Sequence, residues 1–259
     1  MELLEKVVEI AREAGERLLK TYSTEARPKS RADMYAFGRR IEGGTSEYLE
    51  AALRELRPGA GWVGDELEGS DLPGGEWWVT DGIEGGVNHV HGLPEWSVNI
   101  TLIRDNVPVL TVVRMPVPDL TYTAVQGGGA FLDGVRLRVS EKRSLDAAVV
   151  TASQAPGDPE ANRRFGAAVA ALMGVSLLVR NTIPTTFPLI AVASGQYDVF
   201  WQYEPDLPGV AAGALLVSEA GGTVTDLRGK PWWPGSTDVL IAAPGLHEAA
   251  RAVLNAVAS

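Results

Sequence analysis

The chain of 259 residues contains no cysteine and only three histidines, and its bases are few relative to its acids. The lack of cysteine excludes disulfides, thiolate metal ligands and cysteine nucleophiles, and it is compatible with a reducing cytoplasm. The 23 lysines and arginines face 33 aspartates and glutamates, which gives a formal net charge of −10. Because nucleic acids and anionic membranes bind basic surfaces, we expect neither as a partner. The composition favours an acidic protein that handles a small metabolite.

Long apolar runs are also missing. The longest nearly uncharged stretch, 166–179, is too short to cross a bilayer and predicts a buried passage from helix to strand. The N-terminus carries charges throughout and lacks the apolar segment of a signal peptide, so we expect a cytoplasmic protein. Hydrophobic residues still make up 45% of the chain, enough for one large domain or two closely packed ones.

The order of the predicted elements changes near residue 146. Before it, an amphipathic N-terminal helix is followed by a basic segment at 27–44 that predicts a loop or flap, a helix at 46–56, and a strand meander. After it, strands and helices alternate. We therefore predict a layered α/β protein. Its N-terminal α+β subdomain would span residues 1–145, and its C-terminal α/β subdomain would span residues 146–259.

Three segments concentrate unusual chemistry. Two adjacent acids, Asp65 and Glu66, follow a strand-like run. A buried strand ends at Asp81, with Glu84 three residues later and a glycine pair after it, and an alanine-rich helix at 210–220 is closed by glycine. Acids at a strand end beside glycine N–H groups can hold a hard cation next to an anion. The same pattern also fits solvated turn residues, and spacing alone leaves both readings open.

The order and separation of these segments resemble the motifs of the inositol monophosphatase family. Its members carry Gly-Glu-Glu, then Asp-Pro-Ile-Asp-Gly-Thr-x-Asn, then Trp-Asp-x-Ala-Ala-Gly running into Glu-Ala-Gly-Gly. The matching segments here are GDE at 64–66, DGIEGGVN at 81–88 and PGVAAG at 208–213. The resemblance covers nearly the whole chain. It implies an αβαβα sandwich, usually a homodimer, in which carboxylate-bound Mg²⁺ positions water to attack a small phosphomonoester.

The resemblance also implies roles for single residues. Glu66 and Asp81 stand where the family has metal-ligating acids, and Glu84 stands in place of an aspartate, with the charge kept and the side chain lengthened. With Ile83 these residues form the metal set that the resemblance implies. Glu66, Asp81 and Glu84 are also the acids that we expect to be catalytic, with His89 as a fourth member.

Glycines stand at three positions where the family has active side chains. Gly86 replaces the threonine that helps to orient water, Gly209 replaces a metal-ligating aspartate, and Gly43 falls near a water-activating aspartate. The comparison implies at most one weak Mg²⁺ site. The emptied volume predicts a reshaped pocket in which these glycines, together with Gly85 and Asn88, bind substrate.

The remaining candidates come from neighbouring residues. His89 and His91 are natural proton-transfer groups near neutral pH, although one ring could instead pack against Trp96 or Trp62 while the other faces solvent. His247 lies in a C-terminal helix, where we expect it on the surface. Two acids just before Gly209 are candidates to replace the missing aspartate, namely Glu204 and Asp206.

Three functions follow from this pattern. The preferred hypothesis is a divergent enzyme that acts on a small metabolite, with phosphatase activity weak or lost and the cleft serving acid–base chemistry without hydrolysis. The second is a Mg²⁺-dependent phosphomonoesterase of a sugar, polyol or nucleotide phosphate. The third is a non-catalytic relative that binds a metabolite. The three glycines favour the first and third hypotheses, and the retained acids argue against the third.

Overall fold

The computed structural model describes residues 2–25, 27–63 and 72–257. Asp65 and the predicted site residue Glu66 lie outside the described residues. Gly43 falls within a helix, but its surroundings are not described. No helix within the described ranges is both long enough and apolar enough to cross a membrane.

The described part of the chain forms helices and two β-sheets. The helices are α1 (Glu2–Leu19), α2 (Arg31–Leu56), α3 (Gly86–Val90), α4 (Pro159–Met173), α5 (Thr186–Ala193), α6 (Leu207–Glu219) and α7 (His247–Val257). The strands of the first sheet are β1 (Gly61–Val63), β2 (Glu76–Glu84), β3 (Ser97–Arg104), β4 (Val107–Met115), β5 (Leu120–Val125), β6 (Gly129–Leu132) and β7 (Val135–Arg136). The strands of the second sheet are β8 (Val149–Ala152), β9 (Leu178–Asn181), β10 (Val199–Tyr203), β11 (Thr223–Thr225) and β12 (Asp238–Ala242).

These elements stack as αβαβα layers. Helices α1 and α2 pack on the first sheet, α6 packs against both sheets beside α5, and α4 and α7 lie together against the second sheet. The predicted layered α/β sandwich is therefore confirmed. Helix α6 packs its apolar side chains in one cluster with residues of both sheets. The predicted division into subdomains 1–145 and 146–259 stays a prediction.

The two sheets differ in topology. The first runs in chain order from β1 to β7, with β1 parallel to β2 and each later pair antiparallel. The second has the order β11-β12-β10-β8-β9, in which β8 is parallel to both β9 and β10. The predicted strand meander therefore forms the first sheet, and the predicted alternation of strands and helices forms the second half of the chain.

Helix α1 follows directly from its apolar spacing. Val7, Ala11, Ala14 and Leu18 recur every three or four residues and are buried against the first sheet. The exposed face carries charges, including an ion pair between residues four apart, Lys6 and Glu2.

Helix α2 begins much earlier than predicted. The segment 27–44 was expected to be a loop or flap, yet the helix starts at Arg31, where Ser30 caps it by accepting the N–H of Asp33 at 3.1 Å. Buried residues then recur every four positions from Ile41 through Thr45 to Leu49. A polar threonine and two glycines interrupt this stripe in the sequence, so the apolar periodicity of the segment is weak.

Candidate active site

A β-bulge brings the two acids of β2 onto one face. Asp81 lies opposite Asn99 of β3, and Glu84 lies opposite Ser97, so three residue steps of β2 match two of β3. Residues three apart in a regular strand point to opposite faces. Because Ser97 and Asn99 share a face, the one-residue bulge puts Asp81 and Glu84 on the same face as well.

Glu84 is the buried centre of the site. Its Oε1 accepts the backbone N–H of Thr186, the first residue of α5, at 2.9 Å, and its carboxyl also shares a hydrogen bond with Asp81. Burial, and then the charge of Asp206, raise the pKa of Glu84 above its ordinary value of 4.5. The hydrogen bonds from Asp81 and Thr186 act in the opposite direction. This carboxyl therefore links the end of β2 to the start of α5.

A buried hydrogen-bond chain holds Glu84 and its neighbours in place. Asn99 Nδ2 donates to Thr186 Oγ1 at 2.7 Å, and Thr186 Oγ1 donates to the carbonyl of Gly209 at 3.0 Å. Ser97 Oγ donates to Asn99 Oδ1 at 2.9 Å. These hydrogen bonds connect β3, α5 and α6, so the relative position of the acids depends on all three elements. No sequence pattern indicated a site role for Thr186 or Asn99.

Asp206 is the third acid of the site. It is the N-cap residue of α6, and its Oδ2 accepts the N–H of Gly209 at 2.8 Å. Its Oδ1 lies 3.4 Å from the hydroxyl of Thr185. Because Thr185 directly precedes Thr186, whose N–H donates to Glu84, Asp206 lies near the acids of β2. Glu204, the other proposed replacement, instead forms an ion pair with Arg164 at 3.3 Å. We refer to Asp81, Glu84 and Asp206 as the acidic cluster.

The histidines do not join the acidic cluster. His89 is buried, with Nε2 3.2 Å from the carbonyl oxygen of Leu18 and its ring centroid 4.8 Å from that of Trp96. Burial lowers the pKa of His89. This geometry favours the packing alternative and gives no support to a catalytic role for His89. His91 is exposed, whereas His247 is buried, so the expectation of a surface position for His247 was wrong.

Two predicted substrate-binding residues have structural roles here. Gly85 has a φ of +93°, and a Cβ there would lie 2.8 Å from the carbonyl oxygen of Glu95 and 2.9 Å from Pro184 Cγ. Asn88 Nδ2 donates to the carbonyls of Glu95 and Ile183 at 2.8 and 3.1 Å. Both hydrogens of this amide are thus used inside the protein, and its nitrogen is not available to a substrate.

The other predicted site residues have simpler outcomes. The side chain of Ile83 is buried, and its N–H donates to Asp81 Oδ1 at 2.8 Å, which fixes the orientation of that carboxylate. A role for the Ile83 carbonyl stays a prediction. Gly86 is the first residue of α3 and is partly exposed, and its contact with substrate also stays a prediction.

The donors of the acidic cluster fit Mg²⁺ in their chemistry. Carboxylate oxygens are the ligands that Mg²⁺ prefers, and a glycine at 209 leaves the space in which the Asp206 carboxylate lies. Within the described ranges, no three acids or histidines are already arranged around one metal position. Glu84 is tied to Thr186, and Asp206 is tied to Gly209. Asp81 and Asp206 are the less buried members of the cluster.

The layers and the acidic cluster together define a class of protein. It is a five-layer α/β sandwich with carboxylates gathered where a bulged strand meets the N-terminal ends of the two middle helices. The sequence model of the inositol monophosphatase family matches residues 1–258, and the chain belongs to that family. Members of this family generally use Mg²⁺ and act on small phosphate substrates.

Individual relatives agree with this assignment. The inositol-1-monophosphatase of Rhizobium meliloti is 34% identical over 197 residues, which are 73% of this chain and 72% of that protein. The Nus factor SuhB of Pseudomonas aeruginosa is 31% identical over 233 residues, which are 88% and 86% of the two chains. The solved IMPase of Thermotoga maritima superposes with a TM-score of 0.83 at 25% identity, covering 100% of this chain and 98% of that one.

Proposed function

We propose that the protein is an enzyme that acts on a small phosphorylated metabolite, with one Mg²⁺ ion at the acidic cluster and slow phosphomonoester hydrolysis. The observation that carries this proposal is the convergence of Asp81, Glu84 and Asp206 from β2 and the N-cap of α6. Acids repel one another in a confined site unless a proton or a cation lies between them. Family membership supports phosphate as the substrate group.

The acidic residues have different parts in this proposal. Asp81 would hold the ion together with Glu66, and Glu84 would orient Asp81 from the buried side. When bound, Mg²⁺ supplies charge that neutralises a phosphate oxygen. Thr186 and Asn99 keep the acids in register through the buried hydrogen-bond chain.

Slow turnover follows from the side chains that the sequence lacks. Positions 43 and 86 are glycine, so neither can orient a water molecule or remove its proton with a side chain. Loss of a positioned general base lowers a rate by about 10²- to 10⁴-fold. The same two positions favour a second candidate function, acid–base chemistry on the metabolite without hydrolysis.

Phosphate release from a panel of sugar, polyol and nucleotide phosphates tests the proposal. We expect slow release by the full chain that needs Mg²⁺ and is abolished by Asp81→Asn. The matched control is Asp146→Asn, which changes an exposed acid in the turn before β8. Release that survives Asp81→Asn would contradict the proposal. Conversion of a panel compound without phosphate release would support the second candidate.

We also propose that the chain forms a homodimer through the edge of the second sheet. Strand β9 is one of the two edge strands of this sheet, and apolar side chains around it are exposed, including Met173 at 67% and Leu177 at 66%. An exposed apolar sheet edge is a ready surface for pairing with another chain. A second copy presents the same edge, so the surface can pair with itself.

A further inference from the structure

We infer that Asp206 supplies to the site the carboxylate that the chain lacks at position 209, so that one metal-ligating acid has moved by one helical turn. This inference rests on the proposed function, because it assigns a ligand to the Mg²⁺ of that site. Under this inference, glycine at position 209 accompanies a metal ligand that has moved to position 206, and the site has not lost that ligand.

The space next to Gly209 carries the inference. A Cβ at 209 would lie 2.5 Å from Asp206 Oδ2 and 3.2 Å from Asp206 Cγ. It would also lie 3.0 Å from Thr185 Cβ. Real Cβ atoms do not approach other heavy atoms within 2.5 Å, so the Asp206 carboxylate and a side chain at 209 exclude each other. The carboxylate therefore stands where an acid at 209 would begin.

The start of α6 brings the side chain of Asp206 into contact with Gly209, although the two residues are three positions apart in the sequence. Asp206 is the N-cap, and Gly209 is the third residue of α6, whose N–H an N-cap side chain reaches. Pro208 lies in the first turn, where its fixed φ favours the helix. Capping thus folds the side chain of Asp206 back over Gly209, at the observed 2.8 Å.

Asp206 keeps an oxygen for a ligand after it has capped the helix. Oδ2 accepts the N–H of Gly209, while among the described residues Oδ1 has a single long contact, 3.4 Å from Thr185 Oγ1. The residue is exposed, whereas Gly209 is buried. Thr185, the contact of Oδ1, directly precedes Thr186, whose N–H donates to Glu84, so this oxygen lies at the same end of α5 that contacts the acids of β2.

Calorimetric titration of the full chain with Mg²⁺ alone tests the inference. The first variant, Asp206→Ser, keeps a side-chain oxygen that can cap α6 but removes the carboxylate. We expect it to bind Mg²⁺ at least about tenfold more weakly than the unchanged protein. The second variant, D206G/G209D, moves the carboxylate to position 209 and removes both close contacts with Asp206, so that only the 3.0 Å approach to Thr185 Cβ remains. We expect it to recover most of the lost affinity.

The matched control is Asp158→Ser. Asp158 is also an exposed N-cap aspartate, and it accepts the N–H groups of Glu160 and Ala161 at the start of α4. We expect this variant to bind Mg²⁺ as the unchanged protein does. The thermal midpoint of each variant, with and without Mg²⁺, gives a second readout that reports whether the variant is folded.

The outcomes separate this inference from the proposed function. Equal Mg²⁺ affinity in Asp206→Ser and the unchanged protein, with affinity lost in Asp81→Asn, overturns the role of Asp206 and leaves the proposed function standing. Lost affinity in Asp206→Ser without recovery in D206G/G209D overturns the relocation. No Mg²⁺ binding by the unchanged protein overturns both proposals.

Discussion

Replacement of Thr186 by valine tests the buried hydrogen-bond chain that holds the acidic cluster. Valine has nearly the shape of threonine, so the change removes a hydroxyl without leaving a cavity. The hydroxyl accepts from Asn99 Nδ2 at 2.7 Å and donates to the carbonyl of Gly209 at 3.0 Å, and all three residues are buried. The backbone N–H of Thr186 still reaches Glu84 in the variant.

The magnitude follows from the donor that loses its partner, Asn99 Nδ2, because the carbonyl of Gly209 keeps its helical bond from the N–H of Gly213 inside α6. A buried donor left unsatisfied costs about 1–3 kcal/mol, so the free energy of unfolding should fall by about 2 kcal/mol. For a chain of this size each kcal/mol lowers the thermal midpoint by about 2–4 °C. We therefore expect a decrease of roughly 4–8 °C by calorimetry. Urea denaturation gives an independent value.

Two controls isolate the cause. Thr186→Ser keeps the hydroxyl and should cost only about 1 kcal/mol, the contribution of one methyl group. Thr111→Val breaks a comparable buried pair, Thr101 with Thr111 at 2.9 Å, inside the first sheet. It should destabilise the fold with little effect on Mg²⁺ affinity, whereas Thr186→Val should reduce both. Equal stability of Thr186→Val and Thr186→Ser would refute the reasoning.

Two further predictions concern the dimer and the pH dependence of stability. Leu177→Glu should halve the mass measured by sedimentation equilibrium. The control Val135→Glu, at a similarly exposed position on β7, should leave the mass unchanged. A monomeric unchanged protein would contradict the dimer proposal. Burial lowers the pKa of His247 below its ordinary value of 6.5, so the unfolded chain binds more protons than the folded protein as the pH falls. The contribution of neutral His247 to folding stability is therefore complete above pH 6.5 and is lost as the pH falls below it. His247→Gln, which can still hydrogen-bond Thr225, should make the thermal midpoint less sensitive to pH between about 7 and 5, and an unchanged slope would argue against this assignment.

Much of the fold is readable from local patterns. The spacing of apolar residues in α1 and the alternation through the meander directly reflect which side of each element faces the core. Helix α2 escaped prediction between residues 31 and 44. Its signal there is the cap formed by Ser30 and Asp33 and a buried stripe that includes Thr45. Neither can be distinguished from loop chemistry without the partner surface.

The acids of the candidate site stand out in the sequence by residue type, whereas their geometry does not. Asp81 and Glu84 stand out as acids at a strand end, but three-residue spacing would place them on opposite faces of a regular strand. Only the pairing with β3 reveals the bulge that brings them together. His89 stands next to the site in sequence, yet the short helix α3 turns its ring into a contact with Trp96.

By itself, the sequence determined the presence of acids at the end of β2 and the motifs that identify the family, and the family in turn implied the order of the layers. These properties depend on residue type and short-range spacing. The tertiary structure alone decided which acids meet. Asp206 reaches the site because an N-cap side chain folds back over the third residue of its helix, and Gly209 leaves room for it. Such an exchange between positions 206 and 209 is invisible to position-by-position comparison, because it conserves a location in space and not a position in the chain.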